Sequence, residues 1–228
     1  MPSVLSRRSF LRLGAVGALG ATACACGLQS LQRGTIENTA IKIFPRASWG
    51  ALEPDLSAPV ENGAYDALAN PDGWRVYTEP LADILNTVVV HHSALNLSDG
   101  PYEIQQLHLQ TRGFADIAYH FLIDAVGKVY EGRRIDVRGA HTGGYNTGAI
   151  GVVLLGNFES AQPTEAQLAR LHLLLAHLAD EYTLTHLAGH RDFQPGVTVC
   201  PGANLEPFLP TLAAEMGLEF GPDGYQPP

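Results

Sequence analysis

TVVVHHSA, residues 87–94, is a short, branched, apolar run that ends on two adjacent histidines. A run of that length and composition reads as a buried strand. GAIGVVLL at 148–155 predicts a second one. Between them, AYHFLIDA at 118–125 predicts a strand, Gly127 marks a turn, and KVYEGR returns as the hairpin partner. Tyr102 to Arg112 sets Ile104, Leu107 and His108 at helical spacing and is closed by Gly113. The clearest helix runs from Thr164 to Tyr182, where Leu168, Leu171, Leu175, Leu178 and Tyr182 advance by 3, 4, 3 and 4 along one face. Thr164 and Gln167 have the spacing of a capping box. Strands alternating with helices, with at least one hairpin among them, predict an α/β fold: a single domain with a mixed central β-sheet flanked by α-helices.

The domain is expected to open near Ile41 with IKIFPRASWGA and to span residues 41–215, leaving 216–228 as a C-terminal tail. Residues 51–86 are rich in Pro, Asp, Asn and Ala without periodicity, and read as a surface insertion. A chain of 228 residues with 46% hydrophobic residues suits one core of good size. The formal charge is −9. Setting aside residues 1–26, which hold Arg7, Arg8 and Arg12 and no acid, leaves 11 basic against 23 acidic residues. Neutralising phosphates requires Lys and Arg, so no nucleic-acid partner is expected.

SRRSFLRLG at 6–14 places paired arginines before an uncharged stretch, Leu13 to Ala25. Thirteen such residues fall short of the roughly 20 that a bilayer core needs. Residues 1–26 therefore read as a signal peptide of twin-arginine type, with a cytoplasmic amphipathic arm as the alternative. Ala21-Thr22-Ala23-Cys24 is similar to a lipoprotein cleavage site, and Cys26 follows a second Ala-x-Ala. Lipidation of Cys24 or Cys26 would attach the protein to a membrane, with residues 27–40 as a linker. An exported protein, periplasmic or at the cell surface, is expected.

Nine histidines in one acidic chain have to be sorted. His172 and His177, five apart on the long helix, fit a solvated surface, while His108 and His186 have no partner pattern. His91 ends a buried strand. AGHRDFQPGVTVCPG at 188–202 holds His190 and Cys200 in a loop imposed by Gly and Pro. Two imidazoles and a thiolate suit a zinc site with an open fourth position. Spacing alone does not establish that site. A bridge from Cys200 to Cys24 or Cys26, or a Cys200 nucleophile with His190 as its base, fits the same residues.

The order of segments adds a resemblance. VVVHHSA, then TRGFADIAYHFLIDAVGKVYEGR, then GAHTGGYNTGAIGVVLLGNF, then GHRDF and TVCPG is similar to the peptidoglycan recognition protein and type-2 N-acetylmuramoyl-L-alanine amidase family, with RASWGA at 46–51 matching its opening. The resemblance runs from about Phe44 to Gly202. It implies a peptidoglycan recognition protein-like fold and zinc-dependent cleavage of the bond between N-acetylmuramic acid and L-alanine in peptidoglycan or muropeptides. By the same resemblance His91, His190 and Cys200 are the zinc ligands, Tyr119 and Thr198 the catalytic residues, and His92 faces away. His141, Asn146 and Arg133 fall in segments similar to groove walls and are expected to bind substrate. Some relatives lack the metal cysteine, so a non-catalytic peptidoglycan-binding module is the alternative, and a wall-to-membrane anchor a further one.

Overall fold

The strand at the centre is β2, Thr87–His92, and all six of its residues are buried. Its side chains alternate between two faces of the sheet. Val88 and Val90 join Ile150, Val152 and Leu154 against Leu171, Leu174, Leu175 and Leu178 of the long helix. Val89 points the other way, onto Ala149, Ala188 and Phe193. Full burial of each valine is worth about 1.5–3 kcal/mol, and branched side chains suit a strand covered on both sides.

The computed structural model describes residues 41–223 and residue 225. The segments expected to be a signal peptide (1–26) and a linker (27–40), with Cys24 and Cys26, lie outside the described residues. Seven strands form one sheet: β1 (Ile43–Phe44), β2, β3 (Phe121–Ile123), β4 (Val129–Glu131), β5 (Ala149–Leu154), β6 (His186–Gly189) and β7 (Glu219–Phe220). Their spatial order is β1-β4-β3-β5-β2-β6-β7. The β3–β4 pair is the expected hairpin and is antiparallel; the other neighbours are parallel. The helices are α1 (Leu81–Ile84), α2 (Pro101–Leu107), α3 (Glu165–Glu181), α4 (His190–Phe193) and α5 (Leu209–Met216). The fold is the mixed α/β sheet flanked by helices that the sequence predicts.

Several sequence signals act as read. The Thr164 hydroxyl accepts from Gln167 N, and the Gln167 side chain returns to Thr164 N, so the capping box holds the start of α3. Past α2 the chain makes a π-helical turn, His108–Arg112, and stops at Gly113 with φ 71°. RASWGA pins the domain opening to the sheet: Arg46 pairs with Asp116 at 2.9 Å, and Trp49 Nε1 donates to Glu131 O at 2.8 Å.

Two expectations are corrected. The domain does not end at residue 215, because α5 runs to Met216 and the region read as a tail supplies β7, which pairs with β6. Beyond β7, Tyr225 packs on Phe193 and His186, and its hydroxyl donates to Thr147 O. Arg133, expected in a groove wall, is fully buried. Its guanidinium forms a two-pronged ion pair with Glu61, at 2.6 and 2.8 Å, and donates to Ile117 O, Arg138 O and Asp116 O. With its donors committed and no surface of its own, it has nothing to offer a substrate. It latches the 51–86 segment to the rest of the domain instead, and Glu61 also accepts from Ala115 N.

Removing one partner of a buried, hydrogen-bonded ion pair leaves the other charge uncompensated. Glu61→Ala is therefore expected to lower the free energy of unfolding by about 3–5 kcal/mol, measured by urea denaturation. A loss below 1 kcal/mol, on the order of an exposed pair, would show that the latch is not a structural element.

His120 and His108 are also built in as neutral rings. His120 Nδ1 accepts from Gly151 N while its Nε2 faces Val137 O, and His108 Nδ1 accepts from Ala118 N. Burial lowers His120 to about 4 and His108 to about 3. The unfolded chain, with histidines near 6.5, takes up protons that the native state refuses. Their contribution is thus whole above about pH 6.5 and is lost as the pH falls toward 4, at about 2.7 kcal/mol per unit for the two together. Stability of the zinc-free protein measured from pH 7 to 4 should fall, with a slope approaching that value between about pH 6 and 5; a flat profile would contradict it.

Candidate metal centre

Strands β2 and β6 are parallel neighbours in a register that sets Val90 beside Gly189. The next residue on each is a histidine, so His91 and His190 leave the same edge of the sheet side by side, with ring centroids 4.7 Å apart. This edge carries the carboxyl ends of the parallel strands, the customary place for a site in an α/β sheet. Gly189 caps α4, and its N–H donates to the Asp192 carboxylate at 2.8 Å, which fixes where His190 begins. QPGVT then turns the chain back, and Arg191 N donates to Cys200 O at 2.8 Å. The Cys200 sulfur arrives 3.5 Å from His91 Nδ1.

One donor atom each from His91, His190 and Cys200 lies within 4.8 Å of the others. A tetrahedral zinc with bonds of roughly 2.0 Å to nitrogen and 2.3 Å to sulfur separates its N and S ligands by about 3.5 Å. The sulfur–imidazole pair already has that separation, and the donor set is of the kind zinc takes. Burial first, then the neighbouring His141 and His190, lowers the His91 pKa well below its ordinary value. Burial also lowers His190, against a hydrogen bond to Gln194 that raises it. Both rings are therefore neutral, which is the ligating form. Burial pushes the Cys200 thiol up to about 12, opposed by a hydrogen bond from the His92 backbone. A thiol held protonated is a poor nucleophile, whereas a cation bound at the sulfur would displace its proton.

Around these three residues lie the other side chains expected in the site. Tyr119 lies with its ring 5.0 Å from that of His91. Burial raises its pKa, so its hydroxyl keeps its proton. Thr198 Oγ1 accepts from Cys200 N at 3.1 Å, shaping the loop that delivers the sulfur. His92 does face away: it packs on Phe158, whose N–H donates to His92 Nδ1.

A cavity of about 580 Å³ opens beside His190 and His141. Asn146 and Gln194 line one side, and the insertion supplies Val60, Glu61, Pro71 and Asp72 on the other. His141 and Asn146 are thus in the wall where the sequence puts them. Asn146 works there partly on the backbone, its Oδ1 accepting from His141 N and Thr142 N, both at 2.8 Å.

Of the remaining histidines, His172 reaches Glu215 at 3.3 Å from the surface of α3, and His186 contacts Thr185 and Asp223. His108, read as ordinary packing, meets Phe114 edge-on and Tyr119 at a tilt. Gln194 is the site residue that the sequence reading missed. The only signal for it is its place four residues after His190.

Residues 81–203, more than half the chain, match the family Amidase_2, N-acetylmuramoyl-L-alanine amidase. Peptidoglycan-recognition protein SC2 of Drosophila melanogaster is 38% identical over 135 residues, 55% of this chain and 72% of that protein. Among solved structures, the N-acetylmuramoyl-L-alanine amidase LysC from Clostridium intestinale URNW is similar with a TM-score of 0.54 and 32% identity, over 64% of this chain and 95% of that one. Peptidoglycan recognition protein-LE, solved in complex with tracheal cytotoxin, a monomeric diaminopimelic acid-type peptidoglycan, gives a TM-score of 0.57 and 30% identity over 72% of this chain and 90% of that one. With the fold, the strand-end histidines and the family match in agreement, this chain belongs to the N-acetylmuramoyl-L-alanine amidase type 2 and peptidoglycan recognition protein family.

Proposed function

We propose that the protein is a zinc-dependent N-acetylmuramoyl-L-alanine amidase that hydrolyses the amide between N-acetylmuramic acid and L-alanine in peptidoglycan or muropeptides. The observation that carries this reading is the meeting of His91, His190 and Cys200, the second of which also lines the cavity. These three residues would hold the ion. When bound, zinc supplies a Lewis acid for the amide carbonyl and makes water a nucleophile near neutral pH.

The chain's own residues then have separate tasks. Tyr119 keeps its proton and donates a hydrogen bond to the amide oxygen as negative charge builds on it. Thr198 Oγ1 already accepts from Cys200 N, and its own proton remains available for donation. Neither hydroxyl is a base at neutral pH, so both orient and stabilise rather than remove a proton. The Asn146 amide nitrogen offers a donor along the cavity, where glycan or stem peptide would lie. A twin-arginine signal at 1–26 and a lipid on Cys24 or Cys26 would carry the domain out of the cytoplasm to its substrate. Among the described residues, no helix is long and apolar enough to cross a membrane.

The related recognition proteins give weight to a second reading, binding without cleavage, in which the same cavity holds peptidoglycan and no bond breaks. Purified protein should carry one equivalent of zinc, and digestion of cell-wall sacculi should release new L-alanine amino termini that EDTA suppresses. Cys200→Ala should lose zinc and activity together. Tyr119→Phe should keep zinc while kcat falls about 10²–10³-fold, as for removal of one oxyanion donor. Binding to sacculi without new termini would leave recognition alone. A Cys200→Ala protein that retains a full equivalent of zinc would overturn the ligand set.

A further inference from the structure

Both imidazoles of the proposed ligand set are held from behind, and both holders rest on one segment, residues 139–147. His91 turns Nδ1 to the Cys200 sulfur and Nε2 to His141 Nδ1, 3.1 Å away. His190 sets Nε2 against Gln194 Oε1 at 2.9 Å. The Gln194 amide has a fixed orientation, because its Nε2 donates to Gly143 O at 2.9 Å, so its oxygen faces the ring. An amide oxygen only accepts. His190 therefore carries its proton on Nε2 and keeps a lone pair on Nδ1. For His91, a proton on Nε2 donated to His141 likewise frees Nδ1. The Thr142 hydroxyl, 2.9 Å from the same His141 nitrogen, agrees with that nitrogen as an acceptor.

The His141 ring has little freedom to move. A Cβ on Gly139 or on Gly151 would stand 2.4 Å from its Cδ2, so only glycine fits on either side. Asn146 fixes the backbone of the same turn through His141 N and Thr142 N.

We propose that His141 and Gln194 are positioning residues that hold His91 and His190 in the tautomer with Nδ1 unprotonated and available to the metal. This rests on the zinc-amidase reading. It changes what His141 does in the cavity wall, since its Nδ1 is engaged with a ligand rather than open to substrate. Outer-shell partners of ligating histidines contribute about 10–100-fold to metal affinity.

Zinc dissociation constants of the full chain, measured by competition with a chelating dye, test the proposal. Gln194→Met keeps the shape without the acceptor, and His141→Leu removes the other one. Each should weaken zinc binding about 10–100-fold. His141→Asn, which can place an oxygen near the lost Nδ1, should recover most of its share. In zinc-free protein, 15N NMR should find His190 as the Nε2–H tautomer, and a mixture in Gln194→Met. Wild-type protein that binds no zinc would overturn the amidase reading itself. Wild-type protein that binds zinc while Gln194→Met and His141→Leu bind equally tightly would overturn the positioning roles alone. A loss that His141→Asn fully shares, or an unchanged His190 tautomer in Gln194→Met, would mark mere packing and overturn them too.

Discussion

The alternation of side chains along a buried strand is the constraint on which the rest of this molecule depends. β2 is covered on both faces, so its register against β5 and β6 cannot slip by one residue without turning its valines inside out. The same alternation sorts the two histidines at its end. His92 belongs to the side of the long helix and takes a hydrogen bond from Phe158 N, while His91 belongs to the side of His190. Because β6 is parallel and in register, its own strand-end histidine emerges at the neighbouring position. The sheet thus delivers two imidazoles with rigid backbones, and a single loop has to bring only the sulfur.

Much of this was legible in the residues, for reasons that differ from element to element. β2, β5 and α3 announce themselves because long apolar runs and a regular 3-and-4 spacing leave one reading. The hairpin shows through Gly127, and the cap of α3 through Thr164 and Gln167. β1 and β7, two residues each, carry no period at all, and β6 is four residues that read as part of a loop. Their existence depends on neighbours far away in the chain. The ligand residues could be gathered from the sequence only through resemblance, since nothing in the spacing of 91, 190 and 200 says that β2 and β6 are adjacent. Gln194 was out of reach because its role depends on a carbonyl, Gly143 O, contributed by a different segment.

Charge placement follows the same logic of burial. Arg133 was expected in a groove wall, yet it enters the interior, where Glu61 of the 51–86 segment meets it. Trp74, also from the insertion, lies under its guanidinium, with 4.9 Å from the cation to the ring centre. Arg138 makes a further bond between the two parts, donating to Pro71 O and Gly73 O. The stretch with the least periodicity in the domain is therefore tied down at several points.

That junction bears on how such a chain can diversify. A homologue without the 51–86 segment would leave the cation at 133 with its carbonyl partners but without its carboxylate, so retention of this arginine alone would be costly. Positions 61 and 133 should be inherited as a pair, and any grafting of this cavity wall onto a shorter relative has to transfer both halves at once.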